Sequence, residues 1–351
     1  MKRGAWVQVA VASGLSLGLM VGCPKKPDKI VAAGEDKALT DAEIDQEPVA
    51  LMPSGAVGLF SIDAKKLVAS QFGQKTLAIA RARTPLPASA GFDPERDLDH
   101  AFVGVYSMQG ADAVSVLTGR FDKAAIERAA DGTQLTPLGT PVVKSSYAGR
   151  ALYTSHNLGF VVLTARTLLL GNETGIRRAL DRIKEGRVRK QVPEWFEELL
   201  RTPSAPVVAG FDLRAQPLTD SARPQFPFLK GMETARMVGN FESPGINVAG
   251  TMTYDDEAGA QAGAQSLATI KDTIASYGWF ASLLGIGQPI RQLEAKAEGK
   301  DTKVVAALDA TEIGKLLDQL SQFLGVPNQP TVVPAMQSPG LSGGPGGSKT
   351  C

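Results

Sequence analysis

The chain has 351 residues, of which 43% are hydrophobic and 21% are charged, and its formal net charge is +1. This is the composition of a globular protein, and the near-neutral charge disfavours a dedicated nucleic-acid-binding protein, which normally carries a clear basic excess. Aromatic residues make up only 6% of the chain, so its core must consist largely of aliphatic side chains. The length is sufficient for two domains of ordinary size.

The first 22 residues have the pattern of an export signal. Lys2 and Arg3 precede an apolar stretch from Ala5 to Val21, which is too short for an ordinary membrane span and ends in small residues. The last five residues of this region, Leu19 to Cys23, read Leu-Met-Val-Gly-Cys and resemble the lipobox of bacterial lipoproteins.

The resemblance implies that the signal is cut between Gly22 and Cys23 and that Cys23 carries the lipid. Several acyl chains on one residue would hold the protein stably to a membrane. Two alternatives stay open: an uncleaved helical anchor, and an ordinary secretory signal that is cut elsewhere. The polar break directly after Cys23 favours lipidation. We expect a location in the cell envelope, in the outer rather than the inner membrane, facing the periplasm or the surface.

Two segments are predicted to lack a fixed fold. Residues 23–50 are polar and weakly patterned, with at most one helical turn at residues 40–45, and are predicted to form a flexible tether. Residues 326–351 are rich in Pro, Gly, Ser and Gln and are predicted to form a disordered tail. Cys351 at its end is expected to be a free thiol, with a disulfide to another molecule as the alternative.

A first domain is predicted over residues 51–190. Pro53 and Ser54 start an apolar strand that ends at Asp63, which is placed to cap the helix that follows. In chain order the predicted elements are strand 56–62, helix 64–81, strands 101–107 and 113–120, helix 122–130, strands 141–147, 150–155, 158–164 and 167–171, and helix 174–186.

A second domain is predicted over residues 191–325. A short helix over residues 193–200 is expected to join the two domains, and Pro203 and Ser204 again start a strand that ends in an acid, Asp212. The other predicted elements are strand 206–212, a helical stretch within 216–233, strands 234–242 and 245–254, helix 256–277, strands 290–298 and 302–308, and helix 310–324.

The two predicted domains have similar element orders. Asp122 and Asp309 both follow a β-like run and stand four residues before an isoleucine, which predicts a further pair of capped helices. Neighbouring strands are joined by short turns and should pair antiparallel. The predicted fold is α+β, with two similar repeats of mainly antiparallel sheet and helices packed on one face. This layout resembles a loose group of exported bacterial proteins, and the resemblance implies no activity.

No set of residues predicts catalysis, a metal site or a cofactor. His100 and His156 have neither metal ligands at suitable spacing nor a Ser or Cys nucleophile motif, so both are predicted to be solvated turn residues. The acids at 255–257 are expected to stabilise a helix start rather than to bind a cation. Residues 346–350 imitate a phosphate loop, but no strand precedes them and no helix follows.

Two segments are candidates for contact with other molecules. Residues 279–287 are strongly apolar and either pack under the sheet or form a mobile loop that holds a ligand or a partner. A basic segment is either a solvated face or a contact with anionic envelope material, lipid head groups or an acidic partner. Its cationic residues are Arg177, Arg178, Arg182, Lys184, Arg187, Arg189 and Lys190.

The leading functional hypothesis is a lipid-anchored, non-enzymatic binding or interaction module of the cell envelope. Its expected partners are a membrane, through the N-terminal lipid, and an envelope protein. One alternative is a carrier that holds an apolar ligand in a cavity between helices and sheet. Another is an envelope hydrolase with an unrecognised site, which a cluster of polar groups with shifted pKa values would favour.

Overall fold

The computed structural model describes residues 39–107, 112–186, 192–202, 205–214, 216, 227–276 and 287–326. All of these described residues belong to one compact unit. Several predicted features lie outside the described residues: the signal with Gly22 and Cys23, the end of the basic segment with Arg187, Arg189 and Lys190, most of the apolar segment 279–287, and the tail from residue 327 to Cys351.

The described strands form one twelve-stranded sheet in the order β11-β12-β10-β9-β8-β1-β2-β3-β7-β6-β5-β4, and neighbouring strands pair antiparallel, as predicted. The two predicted domains share this sheet, because β1 pairs with β8. The strands are β1 Gly58–Asp63, β2 Leu98–Ser107, β3 Asp112–Gly119, β4 Val143–Tyr147, β5 Arg150–Ser155, β6 Leu158–Val162, β7 Thr167–Gly171, β8 Val207–Asp212, β9 Met232–Asn240, β10 Gly245–Tyr254, β11 Ile290–Glu298 and β12 Asp301–Asp309.

Three helices start at the predicted aspartates. The side chains of Asp63, Asp122 and Asp309 each accept a hydrogen bond from the backbone N–H three residues later, which satisfies a donor that the first helical turn leaves free. The helices are α1 Asp41–Gln46, α2 Ala64–Ala69, α3 Gly73–Arg83, α4 Pro94–Asp97, α5 Lys123–Ala130, α6 Glu173–Lys184, α7 Glu194–Leu200, α8 Glu257–Ser276 and α9 Ala310–Phe323, with short 3-10 turns at Pro48–Leu51, Ala88–Ala90 and Pro227–Leu229.

Two local predictions are wrong. The single helix predicted over residues 64–81 is divided into α2 and α3, because the Ser70 hydroxyl donates to the Leu67 carbonyl and accepts from the Phe72 N–H, in place of a continued helix. Asp212 does not cap a described helix. Its carboxylate accepts instead from the backbone N–H and the guanidinium of Arg214.

Helices cover both faces of the sheet in the first half of the chain. Successive residues of a strand point to opposite faces, and in β7 Leu169 packs with Ile176 of α6 while Leu168 packs with Ile126 of α5. We call these two sides the α6 face and the α5 face. The prediction of helices on one face is therefore wrong for this half, because the connections after β3 and β7 cross to opposite sides.

In the second half, α8 lies on the α5 face. The strand register places Thr302 on this side, and its hydroxyl donates to the Ala260 carbonyl in α8 at 2.8 Å. The Tyr254 ring packs against Gly263 so closely that a Cβ added there would lie 2.2 Å from the phenolic oxygen. A glycine at this position therefore lets the helix approach the sheet.

The last helix, α9, also lies on the side of the α5 face. It runs beside α3, whose Lys75 ammonium contacts the Asp318 carboxylate at 2.6 Å and the Gly314 carbonyl at 3.0 Å. Among the described residues no helix covers the α6 face of β10, β12 and β11. Alternate residues there are exposed, including Lys303 and Val305, the latter by 49%. We call this surface the open face.

The predicted tether over residues 23–50 is wrong in its last part, since residues from Asp41 onward belong to the folded body. Ile44 and Leu51 are fully buried in the core beneath α6. The Asp45 carboxylate accepts hydrogen bonds at 2.6 Å from the hydroxyls of Thr164 and Thr167. The sequence features that indicate a folded segment here are the capping box formed by Thr40 and Glu43 and the apolar residues that follow. Val326, predicted to be the first residue of the disordered tail, is buried.

We predict that Ile44→Ala lowers the free energy of unfolding by about 2–5 kcal/mol, because it removes a fully buried side chain from a packed core. Gln46→Ala, two residues away at an exposed position of the same helix, serves as the matched control and should change it by less than about 0.5 kcal/mol. Denaturant unfolding of both variants measures the difference. Equal stability of the two would mean that α1 does not contribute to the core.

Candidate functional site

The described part of the basic segment is not a continuous cationic surface. Arg177 pairs with Glu173, and Arg178 pairs with Asp112 at 3.0 Å. Arg182 is only 9% exposed and donates to the Ala50 carbonyl at 3.1 Å. The prediction of a surface contact is therefore wrong for Arg182. Lys184 is exposed, and for it the predicted contact with anionic material stays a prediction.

His100 lies in β2 and is not a solvated turn residue, so that prediction is wrong. Its ring stacks on Phe102 with centroids 5.0 Å apart, and its Nε2 is 2.9 Å from the Ser61 hydroxyl oxygen. Burial lowers the pKa of His100, with the Asp63 charge acting in the opposite direction. A neutral imidazole can accept the serine proton, but Ser61 is only 2% exposed, so this pair offers no accessible nucleophile. His156 is in an exposed turn, as predicted.

An apolar cavity of about 220 Å³ lies on the α5 face, under the C-terminal end of α3. Arg83 lines it, and its guanidinium also donates to the Leu324 carbonyl. The other lining residues are nearly all apolar: Ala80, Thr84, Pro85, Leu86, Phe92, Pro94, Leu98, Leu117, Phe160, Leu168 and Leu170. The volume lies below the range of about 300–1,000 Å³ that is usual for ligand pockets.

The open face carries its side chains in rows that cross the strands. The register aligns Arg236, Thr251, Lys303 and Lys296 in one row, which is cationic. The next row is largely apolar and consists of Val208, Val238, Ala249, Val305 and Glu294. On the far side of the cationic row lie Asp212, Thr234, Thr253, Asp301 and Glu298.

Two shallow cavities meet over the apolar row, with volumes of about 510 and 260 Å³. They share Val238, Ala249 and Val305, and the residues of α7 and its C-terminal turn, Leu199 and Thr202, form their wall on one side. The open face is thus a groove that is bounded by α7 and continues to the edge strand β11.

At the α7 end of this groove, three buried polar atoms of neighbouring residues have no hydrogen-bond partner in the part of the chain that the structure describes. They are Trp195 Nε1, Thr234 Oγ1 and Arg236 Nε. Thr234 and Arg236 are next-but-one neighbours on β9, and Arg236 pairs in register with Gly210, against which the Trp195 ring packs. All three can donate a hydrogen bond but are themselves buried, whereas the Arg236 side chain as a whole is half-buried, so the accessible part of its guanidinium can meet an acceptor such as a carboxylate.

The residues of this groove were not predicted from the sequence. A signal was available in the strands: residues 236, 296 and 303 place cations at positions that alternate with apolar ones. That the Arg236 side chain has no partner among the described residues depends instead on which strands become neighbours, and single-strand patterns do not contain that information.

Asp256 accepts the Gly259 N–H at 2.6 Å at the start of α8, as predicted for the acids of residues 255–257. In the part of the chain that the structure describes, no three His, Cys, Asp or Glu side chains are grouped to hold a metal ion. None of the described helices is both long and apolar enough to span a membrane.

The similarity to known proteins concerns the fold alone. No family model and no curated protein matches the chain. The structure is similar to solved structures of TP0453. For crystal form I the TM-score is 0.46 at 12% identity, covering 78% of this chain and 96% of that one. For crystal form IV the TM-score is 0.47 at 10% identity, with the same coverage. For crystal form III it is 0.47 at 10% identity, covering 77% and 97%.

We predict that His100 makes the protein less stable in acid. Its pKa is lower in the folded than in the unfolded chain, so the unfolded chain binds the proton more readily. The stabilisation that His100 contributes is complete above its pKa in the unfolded chain, about 6.5. It is lost as the pH falls from that value through the pKa of His100 in the folded chain. Denaturant unfolding at several pH values from about 7 to 5 measures the loss.

The His100→Gln variant should lose much of this pH dependence, whereas His156→Asn, at the exposed turn, should keep it. Asn tolerates the φ of 54° at that position. Identical pH profiles for His100→Gln and the unchanged protein would contradict the assignment.

Proposed function

We propose that this chain is a lipid-anchored protein of the bacterial cell envelope that acts as a non-enzymatic binding or interaction module. The lipid on Cys23 attaches it to a membrane, the outer rather than the inner one, and the folded body faces the periplasm or the surface. The lipobox-like residues 19–23 support the anchor. The open face supports the binding role.

The open face is the observation that carries the binding role. An antiparallel sheet can face water on one side, and such a face is then polar throughout. This one has an apolar row with Val305 exposed by 49%, and beside it Arg236, which has no hydrogen-bond or ion-pair partner among the described residues. Both features suit a surface that a second molecule covers.

We predict that Cys23→Ala releases the protein from membranes or leaves an uncleaved precursor, because the lipid would be the anchor. Membrane fractionation and the intact mass of the product measure this. Cys351→Ala is the matched control and should keep both membrane attachment and maturation. Unchanged retention and processing in Cys23→Ala would refute the anchor.

The binding role is tested by native mass spectrometry of protein that is gently solubilised from its own membranes. A retained protein partner is the expected result. A chain that carries acyl groups but no partner under a range of mild conditions would count against an interaction module while leaving the anchor in place.

A second candidate is a carrier of an apolar ligand, which the cavity under α3 favours. Its lining is almost entirely apolar and it holds about 220 Å³, enough for a short acyl chain but not for a complete lipid. The small volume is the reason that we place this function second.

For the carrier we predict that Ala80→Phe, which fills the cavity, removes any bound acyl compound from the native mass spectrum. Ala78→Phe, on the same helix but outside the cavity lining, is the matched control and should retain it. No bound compound in the unchanged protein, or retention in both variants, would exclude this cavity as a carrier site.

We also propose that the sheet consists of two similar repeats. Outward from the centre the strand order is β1-β2-β3-β7-β6 on one side and β8-β9-β10-β12-β11 on the other. Each side thus places three consecutive strands before the second and then the first strand of a later hairpin. The antiparallel pairing of β1 with β8 is compatible with a two-fold relation between the repeats. β4 and β5 extend only the first repeat.

A further inference from the structure

We propose that the open face is the docking site for an amphipathic helix of a partner protein, one that carries carboxylates beside its apolar stripe. This inference rests on the proposed function, since it names the class of partner that the interaction module binds. Three observations support it: the charges in the row of Arg236 and Lys303, the spacing of the strands, and the lack of a described helix over the open face.

The ion pairs of the groove indicate which chemical group a partner must supply. Lys296 and Lys303 both pair with Glu298 across β11 and β12. Arg236 has no carboxylate partner among the described residues, although its Nε is buried. Trp195 Nε1 and Thr234 Oγ1 also have no partner among the described residues, but they are buried. One carboxylate can accept two N–H bonds from a guanidinium, so a single Asp or Glu side chain would supply the partner of the half-buried Arg236.

The strand spacing agrees with a helix that lies across the strands. Arg236 and Lys303 are separated by one intervening strand, which corresponds to about 10 Å at a spacing of about 4.8 Å. Two helical residues seven positions apart lie on one side of a helix and about 10.5 Å from each other. Acids at i and i+7 therefore reach both cations, with Lys303 shared between the second acid and Glu298. Apolar residues on the adjacent helix face then lie over Val238, Ala249 and Val305.

The protein itself shows how this side of the sheet is covered. In the first half α6 packs Ile176 and Ile183 onto the α6 face. In the second half the helix after the last strand, α9, lies on the opposite side, so the described residues contain no corresponding layer. A partner helix would restore it.

The charges beside the groove disfavour a phosphate-rich membrane surface or a polyanion. Asp301 and Glu298 lie along one edge of the cationic row, and the exposed Val305 lies along the other. A dense array of phosphates would meet the carboxylates and leave the apolar row uncovered, whereas a helix with separate acidic and apolar stripes avoids both costs.

The experiment places a photo-crosslinking amino acid at Val305 of the full chain in its own membranes and identifies the crosslinked residues by mass spectrometry. Val143, a valine of the edge strand β4 that is exposed by 62%, is the control position. We expect Val305 to crosslink to a partner segment of helical periodicity with acids at i and i+7, and Val143 not to do so.

Charge reversal gives the decisive comparison. Arg236→Glu should lower the crosslink yield about tenfold or more, and Arg236→Lys should lower it less. A change of the contacted partner acid to Lys should restore the yield with Arg236→Glu. If Arg236→Glu does not fold, as judged by thermal unfolding, Lys303→Glu at an exposed position provides the second reversal.

Crosslinks at Val305 to lipid, to another segment of the same chain or to a segment without acids would overturn the docking proposal. A yield that does not change with Arg236→Glu and Lys303→Glu would also overturn it. A partner retained in the native mass spectrum without any crosslink at Val305 would refute this surface and leave the interaction module standing. Absence of both would refute both proposals.

Discussion

The pairing of β1 with β8 determines how the whole protein is assembled. Backbone hydrogen bonds in the middle of the sheet join the two halves of the chain, with Leu59 opposite Gly210. Gly210 has no side chain, and a Cβ there would lie 2.3 Å from the Trp195 ring. Because no Cβ stands there, the Trp195 ring packs directly against the strand, and α7 covers the seam on the α6 face. On the other side Phe60 and Phe211 meet edge to face at 5.3 Å.

With a single sheet, the position of each helix layer decides which strands meet solvent. The first half has helices on both faces and buries two cores, one beneath α6 and one beneath α5. In the second half, α8 and α9 lie on the side of the α5 face. Among the described residues, the uncovered area therefore follows from the path of one connection, the step from β12 into α9. The apolar row of the groove and the lack of a described partner for Arg236 follow instead from which strands are neighbours.

Local patterns predicted most strands and helices of this fold. Alternating apolar residues and short turns identified the hairpins, and the aspartates at 63, 122 and 309 marked helix starts, because a cap is a contact between near neighbours in sequence. The face of the sheet on which each helix lies could not be predicted in the same way. A helix after a strand can cross to either face, and the choice depends on which strands lie beneath it.

The same limit explains the residues whose role was not foreseen. His100 is polar and precedes an apolar run, but it is half-buried because Phe102 and Ser61 lie beside it in the sheet. Asp45 lies in a polar stretch, and its two threonine partners are more than a hundred residues away. Long-range partners of this kind cannot be inferred from composition. The groove could not be inferred from the sequence either, because its rows join residues of several strands.

The charges on β11 also bear on self-association. This strand is one edge of the sheet, and an edge offers free backbone donors and acceptors to any other strand. Glu294, Lys296 and Glu298 place a charge at every second position along it. At the opposite edge, β4 has only five residues and includes Lys144. A second molecule that added a strand at either edge would place its chain against charged side chains. These charges therefore disfavour the growth of the sheet into fibrils.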